Sequence, residues 1–462
     1  MIKKNSFQPE SRSPTNPSYP PSSPAWLAST IFACAVPISL VYVFLTRSSG
    51  VGPGFTVPLA GLVAIVGIVA GSGTRSPTGR EWLVTAALFT TFWAFYGATR
   101  PLTATPFNEQ VRLADAILHG HLWINAPAWM EAVRYGGHSY VIHPPLAALL
   151  LLPVVAIYGL ATDQVTCSVF VGALDVALAW HLLGRFRLDC ASRLWLTLFF
   201  GAGTIVWFEA TRGTTWSLPL VISLAPTLCA LSELFGSARP WLVGLFASAA
   251  ALARYDLVAV WPLYAVALAL RGRKPRELAA LLPAFIFATA AYIAYNLARF
   301  GTACDLAPWL FYRVDPAGLR DHPGLPGPFA LRNIPSNLYT LLFLSPDLDA
   351  RFPYFHPSFR GQALIFTSPA FILTLRARLR RPLVAMMWLC CLFGSAGVLM
   401  FYANGAVQFG PRFYIQIFPF LLCLMALGMA RRLDQLTLVL ILLSILLVGS
   451  GVWDIAHSGF AG

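Results

Sequence analysis

The sequence predicts an all-α fold: a polytopic transmembrane helical bundle, with amphipathic helices on its outer face and one re-entrant segment. Three observations carry this. Hydrophobic residues make up 57% of the 462-residue chain and charged residues only 11%, whereas a soluble domain carries about 25% charged residues. Apolar runs close to the ~20 residues that a membrane helix needs recur along the whole chain. The basic residues gather in short clusters between those runs, which is how membrane proteins set their orientation. The net charge of +13 therefore reads as a topology signal, and nucleic acid is not an expected partner. Residues 1–24 are polar and rich in Pro and Ser and show no cleavable signal peptide. A disordered cytoplasmic tail is expected over 1–25, followed by a single transmembrane domain over 26–462.

The apolar runs fall at 26–46, 56–72, 82–99, 145–160, 165–183, 194–210, 216–236, 241–270, 278–297, 361–375, 382–402, 414–430 and 436–453. Short basic links separate many of them: Arg185/Arg187/Arg193, Arg271/Arg273/Lys274/Arg276, Arg376/Arg378/Arg380/Arg381 and Arg431/Arg432. Two long mixed links, 100–144 and 298–360, are of the other kind. Lys and Arg favour short cytoplasmic loops, so the basic links are placed inside and the two long loops outside. Two runs need separate treatment for this to hold. The run 145–160 is short for a span and follows or contains Pro144, Pro145 and Pro153, so it reads as re-entrant or interfacial. The run 241–270 is interrupted by Arg254-Tyr255-Asp256. Its first half would be about 20 Å long at 1.5 Å per residue, short of the ~30 Å hydrocarbon core. It reads as two shortened helices with both outer ends cytoplasmic.

The eight cysteines show neither a disulfide framework nor zinc spacing. The first outer loop carries Asn108-Glu109, Arg112, Asp115, His119, His121, Glu131, Arg134, His138 and His143. Residues 107–123 have the apolar spacing of an amphipathic surface helix. Glu109 and Asp115, six apart, do not share a helical face. The histidines lack a metal-ligand spacing, no metal ligand is assigned, and a divalent-metal requirement stays open. Within the apolar runs, ionisable residues are costly and mark functional positions. They are Arg254 and Asp256 at the interruption, Glu209 and Arg212 before Trp216, Asp175 in mid-run, and Arg412 in Gln408-Phe409-Gly410-Pro411-Arg412-Phe413-Tyr414. Arg254 and Asp256 could pair for structure alone. Alternatively, Arg212, Arg254 and Arg412 facing one outer cavity would suit a phosphate, which guanidinium binds in a bidentate way.

Several stretches, in this order along the chain, resemble the GT-C type of polytopic membrane glycosyltransferase, which includes protein O-mannosyltransferases and aminoarabinose transferases. They are Asn108-Glu109 with Leu113-Ala114-Asp115-Ala116-Ile117-Leu118-His119-Gly120, Gly137-His138-Ser139-Tyr140-Val141-Ile142-His143-Pro144-Pro145, Ala253-Arg254-Tyr255-Asp256, Tyr295-Asn296-Leu297-Ala298-Arg299-Phe300-Gly301, and Phe409-Gly410-Pro411-Arg412-Phe413-Tyr414. The resemblance implies transfer of a sugar from a polyprenyl-phosphate-linked donor to an acceptor on the extracytoplasmic face of the cell membrane. It implies an acceptor-activating carboxylate at the start of the first outer loop, and basic residues on the lipid phosphate. Where such families often carry Asp-Glu, this chain has Asn108-Glu109, and Asn cannot act as a base. The role passes to Glu109, then to Asp115, or transfer activity is lost. Arg212, Arg254, Asp256, Arg412 and His143 are the expected substrate contacts. The alternative reading is a transporter or flippase of a lipid-linked sugar. That class often shows inverted repeats with paired broken segments, and no clear internal repeat is visible here.

Overall fold

Residues 77–101, 104–127, 130–313, 327–350, 354–358, 360–403, 405, 408–429 and 433–457 are described by a computed structural model. The expected tail 1–25 and the runs 26–46 and 56–72 lie outside the described residues. The remainder is mostly helical, with two short antiparallel ribbons of two strands each. In chain order the principal helices are α1 (Pro77–Thr99), α2 (Glu109–Leu118), α3 (Leu146–Tyr158), α4 (Gln164–Leu183), α5 (Cys190–Ala202), α6 (Val206–Arg212), α7 (Ser217–Phe235), α8 (Pro240–Ala253), α9 (Trp261–Leu270), α10 (Leu282–Phe300), α11 (Ala307–Arg313), α12 (Ile334–Leu342), α13 (Pro382–Met400), α14 (Phe418–Gly428) and α15 (Gln435–His457). The hairpin β1 (Ala132–Tyr135) and β2 (His138–Val141) lies between α2 and α3.

Among the described residues, five helical segments are long and apolar enough to cross a membrane: α4, α7, Pro275–Phe300 ending in α10, α13 and Gln435–Ile455 in α15. A sixth would be α5 with α6, which meet at a 45° bend. Thr204 serves that bend. Its hydroxyl donates to the Phe200 carbonyl at 2.6 Å and accepts from the Val206 N–H at 3.3 Å, so backbone groups freed by the break are still engaged. The apolar window of Pro275–Phe300 is only 17% buried, and Ile286 and Phe287 stand out as exposed large hydrophobics. A face of that kind needs an apolar cover, which hydrocarbon supplies. These helices mark the chain as a membrane protein.

The core forms around α4, which packs against α1, α5 and α7. Close approach depends on small residues, as is common between membrane helices. A Cβ at Gly172 would lie 2.5 Å from the Cβ of Ala210, and one at Gly201 would lie 2.5 Å from the Phe92 ring. Around these contacts Phe92, Tyr96, Trp180, Phe199, Phe200 and Trp207 are fully buried.

Polar contacts separate the two ends of the bundle. At one end Arg193 forks onto Glu81 at 2.8 and 2.9 Å while its guanidinium stacks 3.7 Å from the Trp180 ring. Nearby, Arg185 donates to Ser232, Arg271 donates to the carbonyls of Phe235 and Gly236, and Arg273 donates to the carbonyl of Ser237. The last two contacts bring the C-terminus of α9 beside the N-terminus of α8. The run 241–270 is thus the expected pair of shortened helices with both outer ends together. Its break falls at Arg254, whose φ of −144° and ψ of 103° leave the helix before a 3-10 turn over Tyr255–Val260.

At the other end Arg100, just past α1, pairs with Asp163, the N-cap of α4. The chain between them therefore returns to the level it left. Gln164 fixes that level further, donating to the carbonyls of Gly213 at 2.7 Å and Phe107 at 3.3 Å. Within this excursion α3, about 20 Å long at 1.5 Å per residue, packs beside α2 and does not lead to the basic end. This is the geometry expected of a re-entrant or interfacial segment over 145–160.

Two expectations need correction. The run 361–375 is not one continuous helix: it forms a four-residue helix, Leu364–Thr367, and a 3-10 helix, Pro369–Arg376, which pack along α15 from Arg360, whose carbonyl accepts from Gln408, to Arg376, which pairs with Asp434. Pro369 separates the two helices and cannot donate to the helical ladder. The amphipathic surface helix is also shorter than 107–123. It ends at Leu118, and Gly120 follows with φ +83°, a left-handed conformation suited to glycine that stops the helix.

Charge asymmetry predicts a cytoplasmic location for the end bearing Arg271 and Arg273 and an outside location for the β1–β2 hairpin. On a background without native cysteines, Tyr135→Cys is expected to react with an impermeant maleimide in intact cells, and Arg273→Cys only after lysis. Labelling of the Arg273 position in intact cells would reverse the orientation.

Candidate functional site

The loop over 100–144 folds so that a carboxylate is buried at the N-terminus of α2. Glu109 opens that helix and has no solvent exposure, a position where the helix dipole favours negative charge. The preceding Asn108 does not cap the helix; its Oδ1 accepts from Arg112 Nε at 2.9 Å. Glu109 Oε1 accepts the backbone N–H of Glu131 at 3.0 Å, and its Oε2 is buried without a hydrogen-bond partner. Glu131 in turn meets His143 Nε2 at 2.8 Å. The β1–β2 hairpin brings the two together, because it folds back through Gly136 and Gly137, with φ of +55° and +84°. Two adjacent left-handed residues are what a tight hairpin turn demands.

Burial pushes the Glu109 carboxyl above its ordinary range. Its own N–H and that of Glu131 oppose the shift, the Glu131 charge adds to it, and His143 reduces it. Asp115 lies elsewhere. It is partly exposed, with His119 Nδ1 at 3.7 Å. The two carboxylates do not form a pair, as their spacing predicts.

The cationic side of the site comes from breaks in the long helices. Arg412 begins the 3-10 turn Arg412–Ile417 that leads into α14 and is only 9% exposed. Its guanidinium sits 5.3 Å from the Trp216 ring and 5.1 Å from the Phe413 ring, and its Nε is buried without a hydrogen-bond partner. Trp216 packs at 4.8 Å on Phe107, two residues before Glu109. Arg412 lies within electrostatic reach of Glu209, Glu131 and Arg254. Glu209, fully withdrawn from water, accepts from Ser217 Oγ at 2.5 Å. Arg212, on the last turn of α6, acts on both Glu209 and Arg412.

Arg254 is held differently. Its Nη2 donates to Asp256 at 2.7 Å and its Nε to Gln416 Oε1 at 3.0 Å, while Gln416 Nε2 donates to the Gly394 carbonyl at 2.7 Å. The pair is not sealed: the two side chains keep 15% and 21% of their exposure.

Glu109, His143, Arg212, Arg254, Asp256 and Arg412 therefore gather at one end of the bundle, linked through Glu131, Glu209 and Gln416. Glu109 itself is fully covered and Arg412 nearly so, which differs from the expectation that both face an open cavity. Sequence reasoning did not assign roles to Glu131, Glu209 and Gln416. The adjacent glycines at 136 and 137 signal a hairpin, which would have folded Glu131 toward His143. Nothing comparable in the sequence marks Gln416. Among the described residues, no group of three His, Cys, Asp or Glu side chains could hold a metal ion. No protein-family model, curated protein or solved structure matches the chain.

The raised carboxyl of Glu109 has a consequence for stability. A carboxyl whose folded value exceeds its unfolded one stabilises the fold fully below the unfolded value, ordinarily 4.5, and that stability is lost as pH rises through the folded value. The wild-type melting temperature is expected to fall as pH climbs above about 4.5. Glu109→Gln, neutral at every pH, should flatten that fall and melt at or above wild type at neutral pH. Thermal unfolding in detergent across the pH range checks this, and parallel curves for the two proteins would refute it.

Proposed function

We propose that this protein is a membrane group transferase of the polyprenyl-phosphate-sugar-dependent kind, working at the end of the bundle that holds both Glu109 and Arg412. The observation that carries the reading is Arg412, a permanent cation withdrawn from water with an unpartnered Nε and with Arg212 and Arg254 close by. A lipid-linked phosphate would bring an acceptor oxygen to that Nε and add negative charge to the guanidinium groups beside Glu209.

In the proposed reaction Arg412 and Arg212 hold the phosphate that links lipid and sugar. Glu109 Oε2 takes the proton from an acceptor hydroxyl as its oxygen bonds to the sugar's anomeric carbon. The bond from that carbon to the phosphate oxygen breaks, and the leaving phosphate keeps the electron pair against the fixed guanidinium charge. A buried carboxyl with a raised pKa is suited to proton transfer nearer neutral pH than an ordinary one. The covering β1–β2 hairpin would exclude water, which would otherwise compete with the acceptor. Asp115, partly exposed and facing His119, is a poorer candidate base than Glu109.

One observation keeps a lipid-linked-sugar transporter as the second reading. The break at Arg254 and the bend between α5 and α6 both bring charges to the same end, and discontinuous helices of this kind line transport sites. Transfer by purified protein separates the two. With labelled polyprenyl-phospho-sugars, wild type is expected to release lipid phosphate and pass the sugar to an acceptor. Arg412→Ala should lower the rate by about 10²–10³-fold, as loss of a charge-stabilising group does, and Glu109→Gln by about 10²–10⁴-fold, as loss of a general base does. Sugar movement across vesicles without bond cleavage would favour the transporter, and full activity in Glu109→Gln would remove the base from this position.

A further inference from the structure

Beside the buried carboxylate the outer face opens into a cleft of about 790 Å³, lined among others by Arg112, Trp123, Asn125, Arg134, His138 and Ser139. The loop that walls it is fastened to the hairpin, with the Ile124 N–H donating to the Ser139 carbonyl at 2.8 Å. Trp123 packs against two histidines, with ring centres 4.4 Å from His121 and 4.2 Å from His138, and His121 Nδ1 is tied to the Trp123 carbonyl at 2.9 Å. This stack gives the cleft one rigid aromatic wall.

The charge in the cleft is one-sided. Its described lining contains two arginines and no carboxylate. Arg112 makes its contacts to neutral groups, Asn108 Oδ1 and the Asn125 carbonyl. Arg134 is exposed and has no carboxylate partner among the described residues. The volume is far larger than one phosphate needs and falls within the ~300–1,000 Å³ range of organic-ligand sites. Asn125 and Ser139 add groups that match hydroxyls. Arg112 lies one helical turn beyond Glu109 on α2, so the cleft shares a wall with the helix that carries the proposed base.

We propose that this cleft binds the acceptor, and that the acceptor is an anionic saccharide bearing carboxylate or phosphate groups. The assignment rests on the transferase reading for the word acceptor, but binding can be measured without any donor. Protein in neutral-lipid nanodiscs is titrated by calorimetry with trigalacturonate, with neutral maltotriose and with inorganic phosphate. Trigalacturonate is expected to bind at least about tenfold more tightly than either control, and to weaken by about tenfold or more in Arg134→Ala and Arg112→Gln, the loss of one charge-assisted hydrogen bond. Should Arg112→Gln not fold, Arg134→Ala alone decides, because its side chain is exposed. Equal binding of maltotriose, binding of phosphate as tight as trigalacturonate, or unchanged affinity in Arg134→Ala would each overturn the proposal. Saccharide binding without sugar transfer would contradict the transferase reading and leave the cleft standing. Transfer with an unaltered acceptor KM in Arg134→Ala would remove the cleft and leave the transferase.

Discussion

Arg412 carries a charge it cannot shed into a place where water scarcely reaches it. An isolated charge in such surroundings costs several kcal/mol, and the arrangement of this end of the molecule follows from meeting that cost. Glu209 supplies opposite charge and is held in place by Ser217. Trp216 and Phe413 present ring faces to the guanidinium. Glu131 brings further negative charge from the outer hairpin and ties Arg412 electrostatically to the covering of Glu109. The guanidinium Nε still has no partner, and an anionic substrate would complete the set.

The backbone interruptions and the charges belong to one design. An uninterrupted helix in hydrocarbon satisfies its own hydrogen bonds and offers nothing to a ligand. Here the helical ladder stops at 203–205, at Arg254 and before Arg412, and each stop delivers polar side chains to the same end. Shortening α8 places Arg254 beside Gln416 instead of at a far surface. The opposite end has uninterrupted connections stapled by arginine contacts to Glu81, Asp434 and carbonyls. Polar side chains freed by helix breaks thus collect at one end, and arginine staples at the other.

Much of this was legible in the sequence, because hydrophobic length and charge position are one-dimensional quantities. The shortness of 145–160 and the interruption at Arg254 gave the two departures from simple crossing. Proline and glycine positions were harder to use. Pro369 cuts the apolar run 361–375 into two short turns, although its hydropathy matches that of a continuous helix. At the site, individual residues such as Glu109 and Arg412 announced themselves as charges next to apolar stretches. Glu209 did so too, but its role as a connector did not, since Glu131, Glu209 and Gln416 acquire that role only when residues far apart in sequence meet. The 22 positions between Glu109 and Glu131 and the 162 between Arg254 and Gln416 are closed by tertiary packing, which no local pattern encodes.

The arginine cluster around Arg412 gives the account its centre, and native mass spectrometry addresses it directly. Protein purified in mild detergent and mixed with a polyprenyl phosphate is expected to retain one lipid phosphate per chain, and Arg412→Gln should lose it while Arg273→Gln, at the basic end, keeps it. Equal retention by wild type and Arg412→Gln would contradict the assignment of this end as the lipid-phosphate site.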